Sequence, residues 1–381
     1  MGTGRRPVVM AVDIGTATTR IRTAAGLTVL ATPPPGAIAA VLTRAAGTDR
    51  PVTCVVPDHW RDHGPGLARQ ELLHATVLPV GPATLIGRFA AVAAHAASRT
   101  GPGRYLVCDA GASGTGFGLC EVSGESVRLV DAVFDAGAGG DAFAEAVAPG
   151  HGREFAASAA QNAERLATVL ATAREKALFR NALAVRAGDL EITAGVLLEA
   201  FEPFGARLAA LAGRWSGASA RTVLTGGFAA FPLVAEVLPD AAPLGPHAAV
   251  EGAALFAGEV FREAPLPDVR LPIHRIRHGL PVEAEIDVPG RPGRFAALTG
   301  RDLLLCHRRE PPLGAPSLLL DDAGTLPVEV DGRPAPCRAA GLPPGAYRLG
   351  LRAATRGPVV ALFPVAPDAD PVPVPLERPA R

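Results

Sequence analysis

The sequence has almost no lysine. Lys176 is the only one, and all the other basic side chains that carry a fixed positive charge are arginine. A P-loop needs a glycine-rich turn that runs into Gly-Lys-Ser or Gly-Lys-Thr. No such string occurs in the 381 residues, and the P-loop NTPases are therefore excluded.

The sequence also lacks an excess of either charge, because 37 Lys and Arg side chains balance 37 Asp and Glu. Proteins that bind nucleic acids or anionic membranes need a basic face, so neither partner is expected. The five cysteines include no Cys-x-x-Cys pair, which argues against a disulfide framework or a zinc ribbon. No apolar run is long enough to cross a membrane, and we expect a cytoplasmic protein.

Two similar halves are visible before residue 262. Residues 7–14 and residues 104–111 are apolar, strand-like segments that run into Asp-x-Gly at 13–15 and 109–111, and each is followed by two more strand-like segments and then by helical ones. We therefore predict an α/β fold with an internal duplication. Helical spacing predicts helices over 37–46, 82–99, 141–148, 155–181, 195–214 and 246–261.

The composition changes after residue 262, where proline becomes frequent and short β-type runs replace the helical periodicity. These features predict a linker over 263–274 and a small all-β sandwich over 275–365. The Pro-rich residues 366–381 are predicted to be disordered.

The first candidate site is the hairpin that begins at Asp13-Ile14-Gly15-Thr16. Backbone N–H groups and hydroxyls in such a turn form a nest that binds phosphate without a lysine, and Gly15 permits close approach of the ligand. Asp13, at the end of the strand, could hold a metal ion through water. One copy of this pattern is also compatible with an ordinary polar hairpin.

The second half repeats the arrangement at Asp109, Gly111, Ser113 and Thr115. Two such hairpins that face each other across a cleft would suit a nucleoside triphosphate with Mg²⁺, because a hard cation prefers carboxylate oxygens and water. Farther along the chain, Gly226 and Gly227 follow a strand. Paired glycines let the backbone lie flat against a ligand such as adenosine, although a plain turn explains them equally well.

These motifs, taken in order along about 7–262, resemble the actin-like ATPase superfamily and, within it, the heat-shock protein 70 (DnaK-like) family. The resemblance is carried by VVMAVDIGTATT, YLVCDAGASGTGFGLCEV, DAGAGGDAF, AREKALF, RTVLTGGFAAFPLV and HAAVEGAA. It implies a two-lobed, ribonuclease H-like ATPase fold over 1–262. Lobe I would comprise about 7–100 and 246–262, and lobe II about 103–245, with the all-β domain following.

The resemblance also implies a set of site residues. Asp13, Gly15, Thr16 and Thr18 would form the first phosphate loop, and Asp109, Gly111, Ser113 and Thr115 the second. Asp13 and Asp109 would be the catalytic and Mg²⁺-binding carboxylates, with ATP or ADP as the nucleotide. The remaining nucleotide-binding residues would be Gly139, Gly140, Lys176, Gly226 and Gly227.

Departures from the family pattern bear on the chemistry. The outer subdomain of lobe I, which carries the family's catalytic lysine, is mostly missing. The family's glutamate ahead of Pro-Thr-Ala is replaced in the string Val80–Thr84, and Gly116 stands where an acid is usual. Loss of a group that positions water typically slows catalysis by about 10²–10⁴-fold, so we expect weak hydrolysis.

Four functions remain open at this point. The favoured one is a chaperone-like protein that binds Mg-ATP and hydrolyses it weakly. The second is an adaptor that binds nucleotide without turnover and presents the β-domain to a protein partner. A small-molecule kinase would need a substrate-side catalytic acid, for which no clear candidate exists. A filament-forming protein would need the contact surface that the reduced outer subdomain removes.

Overall fold

The protein is described by a computed structural model. The structure describes residues 10–47, 50–59, 73, 76, 77 and 79–264, followed by strand segments between 269 and 374. The chain divides into two compact units, which are described separately. The first contains Met1–Pro57 and Leu73–Arg262, and the second contains Asp58–Leu72 and Glu263–Arg381.

The first unit is an α/β structure with two mixed sheets. The strands of the first sheet are β1 (Met10–Ile14), β2 (Thr18–Thr23), β3 (Gly26–Ala31), β4 (Val52–Val56) and β5 (Ala83–Gly87). They lie in the order β3-β2-β1-β4-β5. Strands β1, β2 and β3 form antiparallel hairpins, whereas β4 is parallel to β1 and β5 is parallel to β4.

The second sheet repeats this order. Its strands are β6 (Gly103–Ala110), β7 (Thr115–Ser123), β8 (Ser126–Asp135), β11 (Arg221–Thr225), β12 (Ala242–Pro243) and β13 (Arg262–Glu263). Read from one edge, the order is β13-β8-β7-β6-β11-β12. Strands β6, β7 and β8 are antiparallel, and β11 and β12 continue parallel to β6. The five strands other than β13 therefore have the pattern of the first sheet. A separate hairpin joins β9 (Leu183–Ala187) to β10 (Leu190–Thr193).

Helices cover these sheets. They are α1 (Ile38–Ala46), α2 (Arg88–Thr100), α3 (Gly140–Val147), α4 (Gly152–Gln161), α5 (Ala163–Glu175), α6 (Ala194–Gly213), α7 (Pro232–Val237) and α8 (Ala248–Ala257). Helices α2 and α8 cross closely, since a β-carbon at Gly252 would lie only 1.8 Å from the carbonyl oxygen of Ala91. The alanine-rich α2 is buried from Phe89 to Ala97.

Two glycines of β7 explain how α2 meets the second sheet. A β-carbon at Gly118 would lie 2.4 Å from the ring of Phe89, and one at Gly116 would lie 2.8 Å from it. Because these two glycines have no side chain, the ring of Phe89 can pack directly on the backbone of β7. This packing accounts for Gly116, where the family resemblance predicts an acid.

The predicted helices over 141–148 and 195–214 are confirmed to within one residue by α3 and α6. The predicted helix over 155–181 is wrong in its extent. Helix α4 ends at Gln161, and the side-chain amide of Asn162 donates to the carbonyl oxygen of Ser158. Helix α5 ends at Glu175, and a 3₁₀ helix covers Ala177–Asn181.

The predicted helix over 82–99 is wrong at its start. Residues 83–87 form β5, and α2 begins at Arg88. Strand β4 provides the parallel hydrogen-bonding partner of β5, and this long-range pairing overrides the local helical spacing.

The second unit is described through its strands. The larger sheet has the order β20-β19-β14-β17-β16-β22-β23-β24, with β15 paired to β14, and β18 pairs with β21. The strands are β14 (Val269–Arg277), β15 (Leu280–Val288), β16 (Leu303–His307), β17 (Ser317–Leu320), β18 (Thr325–Leu326), β19 (Glu329–Val330), β20 (Arg333–Pro334), β21 (Cys337–Arg338), β22 (Gly345–Ala354), β23 (Gly357–Pro364) and β24 (Val372–Val374). This is the region predicted as a β-sandwich.

Strand β14 begins within the predicted linker over 263–274, and β24 lies within the Pro-rich residues 366–381 that were predicted to be disordered. The rest of that Pro-rich stretch, and residues 265–268 of the linker, lie outside the described residues. In the described part of the chain, no helix has both the length and the apolarity needed to cross a membrane.

Candidate functional site

The first predicted hairpin lies between β1 and β2. The backbone N–H of Gly15 donates to the carbonyl oxygen of Thr18 over 3.0 Å, and this bond closes the turn. A β-carbon at Gly15 would lie 2.9 Å from the Thr18 oxygen, so a larger residue would force the turn open. The hydroxyl of Thr32 donates to the Gly15 carbonyl. The turn presents Thr16 to solvent, whereas Thr18 is half-buried.

The second hairpin, between β6 and β7, repeats the same hydrogen bond. The N–H of Gly111 donates to the carbonyl oxygen of Gly114 over 2.9 Å, and Ser113 is exposed at the tip. Thr115 differs from its predicted role, because it is fully buried and its hydroxyl donates to the carbonyl oxygen of Ala138. Its side chain anchors the hairpin to the segment that precedes α3.

Gly139 and Gly140 lie directly against the second hairpin. A β-carbon at Gly139 would meet the N–H of Gly114 at 2.3 Å, so the two backbones touch. The N–H groups of Gly140 and Asp141 donate to the carbonyl oxygens of Gly111 and Ala112. These N–H groups belong to the first turn of α3, where helices leave donors unsatisfied. The glycines therefore fix the hairpin to the helix end.

Gly226 lies against Asp109 and Ala110. Its φ angle is +102°, a conformation that glycine adopts at little cost. A β-carbon there would lie 2.2 Å from the Ala110 carbonyl oxygen and 2.7 Å from Oδ1 of Asp109. The next residue, Gly227, is exposed. The structure thus brings the second hairpin, Gly139, Gly140 and Gly226 together.

The prediction for Lys176 is not tested by its described contacts. Lys176 is exposed at the end of α5, and its ammonium lies 6.0 Å from the ring centroid of Phe179. The resemblance predicts that it contacts the nucleoside. Its described contact, with Phe179, is to the following 3₁₀ turn rather than to either hairpin.

Asp13 is held by two arginines. Its side chain is 1% exposed. Nη2 of Arg88 donates to Oδ1 over 2.6 Å, and Nη1 of the same guanidinium lies 3.4 Å from Oδ2. Arg20, directly opposite Asp13 in the β1–β2 register, places its Nη1 atom 3.5 Å from Oδ2. Asp13 therefore has two cationic neighbours in a site that excludes most of the solvent.

Asp109 shares one of these arginines. Nε of Arg88 lies 3.5 Å from Oδ2 of Asp109. Burial raises the pKa of Asp109 above its ordinary value, and the negative charge of Asp13 adds to that rise, while Arg88 and Arg20 oppose it. The carboxylates of the two hairpins therefore meet at one guanidinium.

This geometry does not fit the predicted magnesium site. Mg²⁺ binds oxygen ligands at about 2.0–2.1 Å in a near-octahedral shell, and both predicted ligands are instead joined to the guanidinium of Arg88. Among the described residues, no group of three or more His, Cys, Asp or Glu side chains could hold a metal ion. The assignment of Asp13 and Asp109 as metal ligands is thus unsupported by their surroundings.

Sequence reasoning missed Arg20 and Arg88. Arg20 could have been found from the hairpin register, because a short turn places it opposite Asp13. Arg88 could have been found only if β5 had been recognised. Parallel strands end at the same edge of a sheet, so the residue after β5 lies near the end of β1.

Comparisons with known proteins identify no family for this chain. No protein-family model matches the sequence, and a search of curated proteins finds no match either.

Proposed function

We propose that the protein binds ATP or ADP between its two hairpins and is a divergent relative of the heat-shock protein 70 family with an actin-like fold. The observation that carries the proposal is the duplication. Two sheets share one strand order, each has an Asp-x-Gly hairpin closed by the same Gly N–H bond, and the two aspartates share one arginine.

The phosphates would lie between the exposed tips of the hairpins, at Thr16 and Ser113. The adenosine would lie beside Gly226 and Gly227, since Gly226 contacts the second hairpin and Gly227 is exposed next to it. Backbone N–H groups and hydroxyls are adequate phosphate ligands without a lysine. The predicted contact of Lys176 with the adenosine stays a prediction, since the described contact of its side chain is with Phe179.

Hydrolysis in this site would be slow. A general base must reach the attacking water and remain able to accept its proton, but Asp13 is engaged by two arginines and Asp109 by one. The same observation favours the second candidate, an adaptor that binds nucleotide without turning it over. In both forms of the proposal, the C-terminal β-unit binds a protein partner.

The test compares two serine variants by calorimetric titration with ATP. Ser113→Glu places a negative charge at the tip of the second hairpin and should weaken ATP binding by about tenfold or more. Ser123→Glu is the matched control, because Ser123 is also exposed but lies at the opposite end of β7, about 26 Å along the strand.

Equal affinities for the two variants would contradict the proposed site, and absence of ATP and ADP binding by the unmodified protein would contradict the proposed function. A single-turnover assay, in which the unmodified protein is in excess over radiolabelled ATP, then distinguishes the two forms of the proposal. Slow release of phosphate indicates a weak ATPase, whereas no release above the buffer rate indicates the adaptor.

A further inference from the structure

Arg88 is placed where the two halves of the first unit meet. It is the first residue of α2, directly after β5 of the first sheet, and its side chain is 14% exposed. It contacts Asp13 at the end of β1 in the first sheet and Asp109 in β6 of the second. One guanidinium thus joins the equivalent carboxylates of the duplicated sheets.

A divalent cation and this guanidinium would compete for the same oxygens. Arg88 lies 2.6 Å from Oδ1 of Asp13 and 3.5 Å from Oδ2 of Asp109, and Mg²⁺ would need the same oxygens, either directly at about 2.1 Å or through its bound waters. Displacing Arg88 would leave a largely buried cation without its partners, which is strongly unfavourable. Arg88, in contrast, belongs to the polypeptide chain, so its charge is in the site without the binding of a second component.

A second cation lies beside the first hairpin. Arg20 is 8% exposed, and its Nη1 atom would lie 3.9 Å from a β-carbon at Gly15. Its buried Nε atom has no hydrogen-bond partner among the described residues, and a buried donor of this kind is stabilised by an oxygen acceptor. Two arginines and two aspartates therefore form one cluster at the base of the two hairpins, with no net charge before a ligand binds.

We propose that Arg88 replaces the divalent metal, so that the protein binds ATP or ADP without Mg²⁺. This inference rests on the proposed nucleotide site. The guanidinium keeps the two carboxylates from repelling each other and from repelling the phosphates, which is the electrostatic role that a metal would have between them. Arginine suits this role because its charge is permanent and its planar N–H groups match carboxylate and phosphate oxygens.

The deciding experiment is a calorimetric titration of the unmodified protein with ATP and with ADP, once with excess Mg²⁺ and once with excess EDTA. We expect the dissociation constants in the two buffers to agree within about threefold. Binding that is about tenfold or more weaker in EDTA would overturn the inference and leave the proposed function standing. Absence of binding in both buffers would overturn the proposed function itself.

Two variants then assign the effect to Arg88. Arg88→Gln should weaken ATP binding in EDTA by about tenfold or more, and excess Mg²⁺ should restore it, because the two carboxylates become available to the metal. Arg99→Gln is the control, since it removes an exposed charge from the same helix about 16 Å away.

Unchanged binding of ATP by Arg88→Gln in EDTA would contradict the role of Arg88. Binding of Mn²⁺ alone, followed by electron paramagnetic resonance, provides a readout that does not depend on nucleotide. It should be detectable for Arg88→Gln and absent for the unmodified protein, and Mn²⁺ binding by the unmodified protein would overturn the inference. If Arg88→Gln does not fold, the two buffers with the unmodified protein still decide the matter.

Discussion

At the scale of single residues, the two aspartates of the duplication have different surroundings. Asp13 is almost fully buried between Arg88 and Arg20, whereas Asp109 is 16% exposed and lies near one of these cations at 3.5 Å. Burial raises the pKa of Asp109, so its charged form is disfavoured in the fold. Equivalent positions in the repeated pattern therefore contribute differently to stability.

Replacing each aspartate by asparagine tests this difference. Asp13→Asn should lower the free energy of unfolding by about 3 kcal/mol or more, because it leaves two largely buried arginines without their common anion. Asp109→Asn should cost about 1 kcal/mol or less, since an amide still accepts a hydrogen bond and its uncharged form suits the buried site. Urea denaturation measures both values, and equal losses would contradict the account.

At the scale of elements, the segment from β5 into α2 creates the site. The turn from Gly87 to Arg88 brings the arginine to the edge where β1 ends, and Phe89, the next residue, packs on the glycines of β7. The helix then runs between the sheets and crosses α8 at Gly252. Small residues at this crossing let the two helices approach closely.

The sequence predicts the two hairpins but neither strand β5 nor the contacts of Arg88. The hairpins at Asp13 and Asp109 follow from local patterns, because apolar runs that end in Asp-x-Gly are visible without any tertiary contact. Strand β5 does not follow from a local pattern, because the spacing of residues 82–99 is helical. Only the pairing with β4 makes residues 83–87 a strand. The role of Arg88 then depends on both sheets, and spacing within one segment contains no information about that contact.

The crossing of α2 and α8 is the most sensitive point of these elements. Gly252→Ala should lower the free energy of unfolding by about 2 kcal/mol or more, because its β-carbon would overlap the backbone of Ala91 at 1.8 Å. Gly213→Ala is the control. Gly213 lies at the end of α6 with nothing within 4 Å of an added β-carbon, so the same change should be neutral or stabilise by up to about 1 kcal/mol.

Urea denaturation at one pH compares the two glycine variants with the unmodified protein. A loss of stability in Gly213→Ala that equals the loss in Gly252→Ala would show that alanine is unfavourable in these helices for reasons unrelated to the crossing.

At the scale of the whole molecule, the repeated strand order is the main result. The duplication was predicted from the two Asp-x-Gly segments, and the structure provides two sheets with one order and one pattern of strand directions. Sequence periodicity could not show that the hairpins meet, because that depends on how α2 and α8 hold the sheets together. The strands of the second unit were also visible in the sequence as short β-type runs.

The central claim is that one nucleotide lies between both hairpins, and hydrogen–deuterium exchange tests it most directly. Exchange is measured by mass spectrometry with and without saturating ATP, in excess Mg²⁺, on peptides that cover residues 10–18 and 110–118. The account predicts slower exchange in both peptides when ATP is present, because the ligand protects the two turns together. Slower exchange in only one hairpin, or in neither, would contradict it.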